Sequence, residues 1–313
     1  MKVSNRIAAL VAGVAMSAAG AAMAEELTIG YVTKSATNVG WIMINSGASD
    51  AAEAEGINLV TVGPAFADDL SSQLEVFENL VAQGVDAIAV APVDSAGIAP
   101  AVDGAMEAGI PVIAVDTAVS GAEVVSFVAT DNLAVAKVQG AVAATLVNDG
   151  DTVIYVTGDP AQSTGQDRRD GFLEAFGSHR PNSEILIVPT SWDSGQAREG
   201  VETLLNARSD VVLIAHAWDG GTMASKAAME NLGLEAGDIK LVGFDGATDA
   251  VEAMGEGWVH ANTAQMLYGM GFDGITIAAR AARGEDVPAR VDTGFFLVTP
   301  ETMDTYKAMI GME

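Results

Sequence analysis

The feature that most constrains this chain is a repeated order of strands and helices. From Leu27 to Asp116, short runs rich in β-branched residues alternate with runs of helical spacing, and the same order returns between Thr152 and Asp245. Strand-like runs that alternate with helical patterns are typical of a parallel sheet covered by helices. The repeat therefore predicts an α/β protein of two doubly wound lobes.

The elements that this pattern predicts form two sets and a remainder. The first set has strands at residues 27–33, 57–62, 85–90 and 111–115, and helices at 47–56, 70–83 and 96–108. The second set has strands at residues 152–157, 185–189, 210–215 and 240–244, and helices at 166–176, 196–207 and 222–232. A strand at residues 259–265, a helix to about residue 284 and a strand at residues 295–298 complete the chain. Because order and spacing agree, we interpret the two sets as copies of one unit.

Residues left over after the two copies predict crossings of the chain between the lobes. We place these crossings near Thr130, Gln265 and Gly294. Three crossings make a hinge that permits the lobes to close around a ligand. The predicted lobes comprise residues 25–129 with 266–293, and residues 130–265 with 294–313.

The first 24 residues have the pattern of an export signal. Lys2 and Arg6 precede an apolar run over residues 7–22, and Ala22-Met-Ala24 has the small-x-small form that a signal peptidase needs. We expect cleavage after Ala24 and a mature protein in the periplasm. A retained N-terminal anchor is the alternative.

Charge and cysteine content exclude several classes of function. The chain has 15 Lys and Arg against 42 Asp and Glu, and its net charge is −27. So acidic a chain lacks the basic patches that nucleic acids and anionic membrane surfaces require. Cysteine is absent, so disulfides, thiolate nucleophiles and cysteine metal sites are impossible. Half of the residues are hydrophobic, which is enough for two cores.

The repeat also predicts where a ligand binds. In open α/β sheets the ligand crevice lies beyond the carboxyl ends of the strands. Three of the four tryptophans fall at predicted strand exits. The residues at these exits are Lys34, Asn38, Trp41, Ala91, Asp116 and Thr117 in the first lobe, and Gln166, Trp192, Asp193, Trp218, Asp219 and Asp245 in the second.

The chemistry of these side chains favours a neutral sugar or polyol. A carboxylate accepts hydroxyl hydrogens, and a hydrogen bond to a charged group contributes about 1.5–3 kcal/mol. Tryptophan faces give the apolar side of a sugar a flat surface, and amides both donate to and accept from hydroxyls. We therefore predict a binding site for a small polyhydroxylated molecule.

Some of these residues have structural alternatives. Asp116 and Asp245 end strands, where an aspartate often caps the following helix, but their equivalent places in the two copies favour a binding role. Lys34 suits either a ligand contact or a salt bridge between the lobes.

Other polar and aromatic residues are expected to be structural. Arg168 and Arg169 stand beside Asp167 and Asp170, so we expect local salt bridges there rather than ligand contacts. Trp258 precedes the late strand, and we expect it to be a packing residue.

The sequence contains patterns that occur in enzymes, but none lies in the structural context that its function requires. We therefore predict no catalysis, no cofactor and no metal. Residues 269–274 spell the G-x-G-x-x-G dinucleotide pattern, but inside a helical run near the end of the chain. The three histidines lack metal-binding spacing. Asp116 and Asp245 could form a glycosidase pair, yet the repeat puts them on different lobes, where hinge motion would change their separation. A secreted glycoside hydrolase is thus the alternative of a different class.

These features together resemble the periplasmic binding protein type I family, in its ribose-binding branch, with Rossmann-like lobes. The likeness extends over the whole mature chain. It is most specific at residues 90–95, 110–116, 121–125, 129–132, 168–172, 242–246 and 264–265. The resemblance implies a monomeric receptor that hands a sugar to the membrane permease of an ABC importer. The sugar-contacting places that it implies are Asn38, Trp41, Asp116, Gln166, Trp192, Trp218, Asp245 and Gln265.

The sequence departs from the ribose receptors at several of these places. The family's Asp-Arg pair is Asp116-Thr117 here, and Gln166 replaces the arginine that usually holds ring hydroxyls. These departures weaken the case for ribose itself and leave a sugar alcohol as good a fit as an aldose. Receptors for furanosyl quorum signals are the alternative within the fold, because they resemble this chain at Lys34 and at residues 61–64.

Overall fold

The structure is a computed structural model that describes residues 26–35, 38–64 and 69–312. The predicted signal peptide lies outside the described residues. The elements from the start of the fold are β1 (Thr28–Val32), α1 (Val39–Glu55), β2 (Asn58–Val62), α2 (Leu70–Gln83), β3 (Ala87–Val90), α3 (Ala99–Glu107), β4 (Val112–Val115) and β5 (Ser126–Ala129). There follow α4 (Asn132–Thr145), β6 (Thr152–Val156), α5 (Ser163–His179), β7 (Glu184–Val188), α6 (Ser194–Ala207), β8 (Val211–His216), α7 (Asp219–Asn231), β9 (Lys240–Asp245), α8 (Thr248–Gly255) and β10 (Val259–Gln265). The last elements are α9 (Leu267–Ala282), β11 (Arg290–Asp292), β12 (Phe295–Val298) and α10 (Met303–Ile310).

The strands form two six-stranded sheets of matching order, one in each lobe. The first sheet runs β11-β5-β4-β3-β1-β2 and the second β12-β10-β9-β8-β6-β7. Strand pairs in both sheets are parallel except β10 with β12, which is antiparallel. β3 and β4 are buried along their whole length, as expected where helices cover both faces of a parallel sheet. The predicted two-lobed α/β fold is confirmed.

The chain passes between the two sheets three times. It leaves the first sheet after β5, returns to it after β10, and leaves it again between β11 and β12. Arg290 ties two of these passages together, since its guanidinium donates to the carbonyl oxygens of Ala129 and Thr130 at 3.0 and 3.1 Å. Asp292 accepts from the backbone N–H of Asp131 at 3.3 Å.

Each lobe contains one close pair of helices that cross through glycines. In the first lobe a Cβ on Gly47 of α1 would overlap the carbonyl oxygen of Tyr268, and one on Gly271 of α9 would overlap that of Ile44. The G-x-G-x-x-G run is thus part of a helix whose middle glycine permits close packing. In the second lobe Gly140 of α4 faces α5 in the same way.

The element boundaries differ from the sequence prediction where capping decides them. α1 begins at Val39, eight residues before the predicted start at Gly47, because Asn38 accepts hydrogen bonds from Gly40 N and Trp41 N and starts the helix. β5, α4, α8, β11 and α10 had no counterpart in the predicted sets.

Among the described residues, no helix is long and apolar enough to cross a membrane.

Candidate functional site

The carboxyl ends of strands from both sheets surround one cavity of about 140 Å³. This volume suits a single small ring, because an engineered cavity of about 150 Å³ takes up benzene. Drug-sized ligands need about 300 Å³ or more. The residues that line the cavity are Lys34, Ser35, Asn38, Gly40, Trp41, Ile44, Asp116, Gln162, Thr164, Arg168, Trp192, Trp218, Asp245, Gln265 and Leu267.

On the first-lobe side, Lys34 holds Asp116. Lys34 follows β1 and Asp116 follows β4, so parallel pairing of the strands brings both to one sheet edge. The ammonium Nζ lies 3.1 Å from Asp116 Oδ2 and 2.6 Å from Thr117 Oγ1. It also donates to Gln162 Oε1 of the second lobe at 2.6 Å. The hydrogen bonds to Asp116 fall on Oδ2, from Lys34 and from the Thr117 hydroxyl at 2.7 Å.

On the second-lobe side, Arg168 holds Asp245. Arg168 projects from the first turns of α5 and donates to Asp245 Oδ1 at 3.1 Å. Its other donors bind Asn132 Oδ1 and the carbonyl oxygen of Ala217, each at 2.8 Å. The guanidinium lies 4.1 Å from the ring centroid of Phe244, within cation–π range. Arg168 is therefore already held in place before any ligand arrives.

The two carboxyl groups differ in their ease of ionisation. Burial opposes ionisation of Asp116, but the charges of Lys34 and Arg168 and the hydrogen bond from Thr117 outweigh it, so the pKa of Asp116 is lowered. Burial raises the pKa of Asp245, and the charge of Asp116 adds to this, against the opposing effect of Arg168 and Gln265.

A third aspartate, Asp219, lies behind Asp245 and fixes its loop. It accepts from the backbone N–H groups of Phe244 and Ala247 at 3.2 and 2.8 Å and from Asn262 Nδ2 at 2.7 Å. Burial raises the pKa of Asp219 well above its usual range, and the charge of Asp245 raises it further. Asp219 is outside the cavity lining and acts on the backbone on both sides of Asp245.

Aromatic rings form a corner of the cavity. Trp192 and Trp218 meet edge to face, with ring centroids 5.5 Å apart and an interplanar angle of 87°. Trp41 lies on the first-lobe side. Among the described residues, Trp192 Nε1 and Gln265 Oε1 are buried polar atoms without a hydrogen-bond partner. Both residues line the cavity, and buried polar atoms of this kind are costly to leave unpaired.

The structure brings eight of the nine predicted binding residues together around this cavity. Most of them lie within a few residues of a strand end, as the rule on strand exits predicted, and Trp41 lies in the first turn of the helix that follows β1. Their part in ligand binding stays a prediction. The eight residues are Lys34, Asn38, Trp41, Asp116, Trp192, Trp218, Asp245 and Gln265.

Gln166 was placed wrongly. It is exposed, and its amide donates to the carbonyl oxygen of Pro160 at 2.7 Å. α5 begins at Ser163, and Thr164 and Arg168, four residues apart, share the face that lines the cavity. Gln166 lies midway between them in sequence and therefore points to the opposite face.

Arg168 was also interpreted wrongly. The expected local pair exists for Arg169, whose guanidinium contacts Asp170 at 2.7 Å. Arg168 reaches Asp245 instead, because it points into the lobe and not along the helix surface. The four-residue spacing from Thr164 was the signal that could have identified it. Gln162, in the turn before α5, carried no signal in the sequence pattern.

The structural alternatives for the two aspartates and the lysine are also resolved in part. Asp116 and Asp245 cap no helix, because α8 starts after Ala247 and no helix follows β4 directly. The salt bridge of Lys34 stays within the first lobe, and its contact across the lobes is with the neutral amide of Gln162. Trp258 is buried away from the cavity, as expected.

Nothing in the described part of the chain forms a group of three or more histidine, aspartate or glutamate side chains placed to hold a metal ion. His216 is buried, with Nε2 2.7 Å from Ser225 Oγ and Nδ1 3.0 Å from the carbonyl oxygen of Val242. The cavity is lined by hydrogen-bonding and aromatic groups together with the aliphatic side chains of Ile44 and Leu267.

Comparison with known proteins places the chain among solute receptors. The ribose import binding protein RbsB of Escherichia coli is 30% identical over 299 residues, which cover 95% of this chain and 99% of that protein. An ABC-transporter solute-binding protein from Mycobacterium smegmatis, solved with bound glycerol, is 30% identical with a TM-score of 0.82, covering 90% of this chain and 96% of that one. A carbohydrate-transporter solute-binding protein from Agrobacterium radiobacter, in complex with D-arabinose, is 26% identical with a TM-score of 0.86, covering 93% and 100%.

A family model described as the periplasmic binding protein domain matches residues 29–286. The match spans most of both lobes, and the solved relatives share the two-lobed fold over nearly their whole length. The chain therefore belongs to the periplasmic binding protein family.

Proposed function

We propose that this protein is a periplasmic receptor that closes over one neutral monosaccharide or sugar alcohol and delivers it to the permease of an ABC importer. The observation that carries the proposal is a pair of carboxylates, Asp116 and Asp245, one from each lobe, that face a cavity of about 140 Å³. Each is already neutralised by its own cation, Lys34 or Arg168.

The charge balance of the site favours an uncharged ligand. The two ion pairs cancel, so a charged guest would be buried without a counter-ion, which is costly. The hydrogen bonds from protein side chains fall on Oδ2 of Asp116 and Oδ1 of Asp245, so hydroxyl groups of the ligand are placed at the second oxygen of each carboxylate. Hydroxyls on opposite sides of one small molecule match this arrangement.

The remaining lining groups suit the rest of a sugar. The indole N–H of Trp192 and the amide oxygen of Gln265 supply one further donor and one acceptor. The faces of Trp41 and Trp218 offer apolar surface for C–H groups. Relatives named for ribose import and solved with D-arabinose support a monosaccharide of this size. Ribose itself is not proposed as the ligand, because Thr117 stands where the ribose receptors have an arginine.

The furanosyl quorum signal is not proposed as the ligand. The likeness to its receptors is based on Lys34 and residues 61–64, and of these only Lys34 lines the cavity. Catalysis is not proposed either, because each carboxylate is bound to a cation on its own lobe and closure changes the distance between them.

Location and lobe boundaries complete the proposal. We propose export with cleavage after Ala24, which fits the match to a family model described as a periplasmic binding protein domain. The lobes that move are residues 25–129 with 266–293, and residues 130–265 with 294–313, about the three passages of the chain.

A ligand screen followed by two substitutions tests the proposal. In a thermal-shift screen of pentoses, hexoses, polyols, the quorum signal, amino acids and nucleosides, a ligand at 100 times its Kd stabilises by about 2.7 kcal/mol. With the best ligand, calorimetry should show binding about 10- to 100-fold weaker for Asp116→Asn and Asp245→Asn, since each loses a charged acceptor. Asp103→Asn and Asp170→Asn, exposed acids outside the cavity, are the controls. A shift only from amino acids or nucleosides, or parent-like affinity in both cavity variants, contradicts the proposal.

A further inference from the structure

Two serines outside the cavity join the lobes to each other. Ser95 follows β3 in the first lobe, and Ser163 opens α5 in the second. The backbone N–H of Ser163 donates to Ser95 Oγ at 3.0 Å, and the N–H of Ala118, in the first lobe, donates to Ser163 Oγ at 2.9 Å. The N–H of Ser95 donates to the carbonyl oxygen of Ala161 at 3.1 Å. We name this set of three hydrogen bonds the serine seam.

The seam completes a helix end that its own lobe leaves open. The first N–H groups of a helix have no partner inside the helix and need a cap. α2, α4 and α6 are capped from within by Asp69, Asp131 and Asp193. Gln162, at the cap position of α5, makes no such bond, and the N–H of Ser163 finds its acceptor on the other lobe instead. When the lobes part, this N–H and that of Ala118 are left to water.

The seam is next to the ligand cavity without being part of its lining. Gln162, adjacent to Ser163, accepts from Lys34 at 2.6 Å, and Lys34 holds Asp116. Formation of the seam therefore sets the second-lobe amide against the lysine that orients the first-lobe carboxylate. Neither serine is among the lining residues.

We infer that Ser95 and Ser163 are positioning residues for ligand capture, which stabilise the closed arrangement of the lobes both with and without ligand. The part that concerns ligand rests on the proposed function. A ligand that binds the closed form shifts a population that the seam has already raised, so removal of one seam hydroxyl should accelerate ligand release. The expected change is about two- to tenfold for each hydroxyl, the usual net effect of one hydrogen bond.

The absence of cysteine makes closure directly measurable. Spin labels on Ser71→Cys in α2 and Glu199→Cys in α6, both exposed, report the distance between the outer edges of the lobes by double electron–electron resonance. Ser163→Ala should shift the ligand-free distances towards open forms. Ser163→Thr, which keeps the hydroxyl, should restore the parent distribution. Ser120→Ala, an exposed serine in a neighbouring first-lobe loop, is the matched control.

Stopped-flow kinetics with the best sugar give the second measurement. We expect Ser163→Ala and Ser95→Ala to raise the dissociation rate about two- to tenfold and to leave the association rate within the range of Ser120→Ala. Ser163→Ala alone suffices if the buried Ser95 tolerates no change. The inference is overturned if Ser163→Ala matches Ser120→Ala in both ligand-free distances and dissociation rate. If no sugar binds the parent, the proposed function fails, while the ligand-free distances still decide the role of the seam.

Discussion

The two lobes present the same acid at the same place but hold it in different ways. Asp116 follows β4 and is paired with Lys34, which follows β1, and β3 lies between these two strands in the sheet. Lys34 also contacts the other lobe. Asp245 is paired with Arg168, which is buried and bonded to Asn132 within its own lobe. The pKa of Asp116 is lowered and that of Asp245 is raised. Equivalent places in the two lobes thus carry the same residue type, while the neighbours of each aspartate set its ease of ionisation.

The backbone at these places is alike in both lobes. Among the described residues, the positive-φ positions that are not glycine are Asp116, Asp245 and Trp192, with φ of 63°, 113° and 60°. Such conformations cost about 1–3 kcal/mol each and persist only where the surrounding structure enforces them. All three line the cavity, so the strain in the described chain is concentrated at the proposed binding site.

The largest difference between the lobes should appear when the cations are removed. Arg168→Met should lower the free energy of unfolding by about 3–5 kcal/mol, because Asp245 and the other acceptors of Arg168 are left buried without a partner. Lys34→Met should cost less, since Asp116 keeps the hydrogen bond from Thr117.

Urea denaturation measures both values, with Arg169→Met as the control, because that neighbouring arginine pairs only with an exposed acid. Arg169→Met should lower the free energy of unfolding by less than about 1 kcal/mol. Equal losses for Arg168→Met and Arg169→Met would show that the buried ion pair does not support the second lobe.

Acid should weaken the second lobe through His216, for which the first lobe has no counterpart. Burial lowers the pKa of His216 to about 4, from 6.5. Between these values the unfolded chain binds a proton that the native protein does not. The stability contributed by the neutral ring is complete above pH 6.5 and is lost as the pH falls towards 4. At about 1.36 kcal/mol per pH unit the loss reaches about 3 kcal/mol.

Urea denaturation at a series of pH values tests this slope. His216→Asn should flatten the fall in stability between pH 6.5 and 4. His179→Asn, at an exposed position, should keep the parent slope. Burial also lowers the pKa of His260, so part of the slope should remain in the His216 variant. An unchanged slope in His216→Asn would mean that the buried ring is not the group that titrates.

The order of elements and the strand exits could be predicted from sequence because both follow from local rules. Apolar runs such as Val112–Val115 mark buried parallel strands, and a ligand crevice lies beyond their carboxyl ends. Predictions were weakest where tertiary contacts decide. α4 is rich in alanine and valine on most sides, so no clear stripe marked it, and it is stabilised by packing against α5.

Within the site, the orientation of side chains on helices limited prediction. Gln166 and Arg168 are two residues apart on α5, and only the start of the helix at Ser163 decides which of them faces the cavity. The N–H of Ser163 at that start donates to Ser95 Oγ of the other lobe, a contact that no local pattern reveals. Arg168 was therefore missed although its type suits the site.

The smallest expected difference between the lobes concerns their glycine crossings. A Cβ on Gly271 would overlap the carbonyl oxygen of Ile44, whereas one on Gly140 would lie 2.7 Å from that of Phe172. Backbone atoms of packed helices yield little, so Gly271→Ala should cost about 1–3 kcal/mol in the free energy of unfolding. Gly140→Ala should lower the free energy of unfolding by less, because a smaller shift between α4 and α5 removes the overlap.

Glycines that face open space provide the controls for this comparison. Gly104 of α3 and Gly177 of α5 have no atom within 4 Å of an added Cβ. Alanine at these helical positions should stabilise by about 0.5–1 kcal/mol, because it removes the conformational freedom of glycine in the unfolded chain. Urea denaturation of the four variants measures packing in each lobe against this baseline. If Gly271→Ala were as stable as Gly104→Ala, α1 and α9 would have room to separate, and the tighter crossing of the first lobe would not be a constraint on its fold.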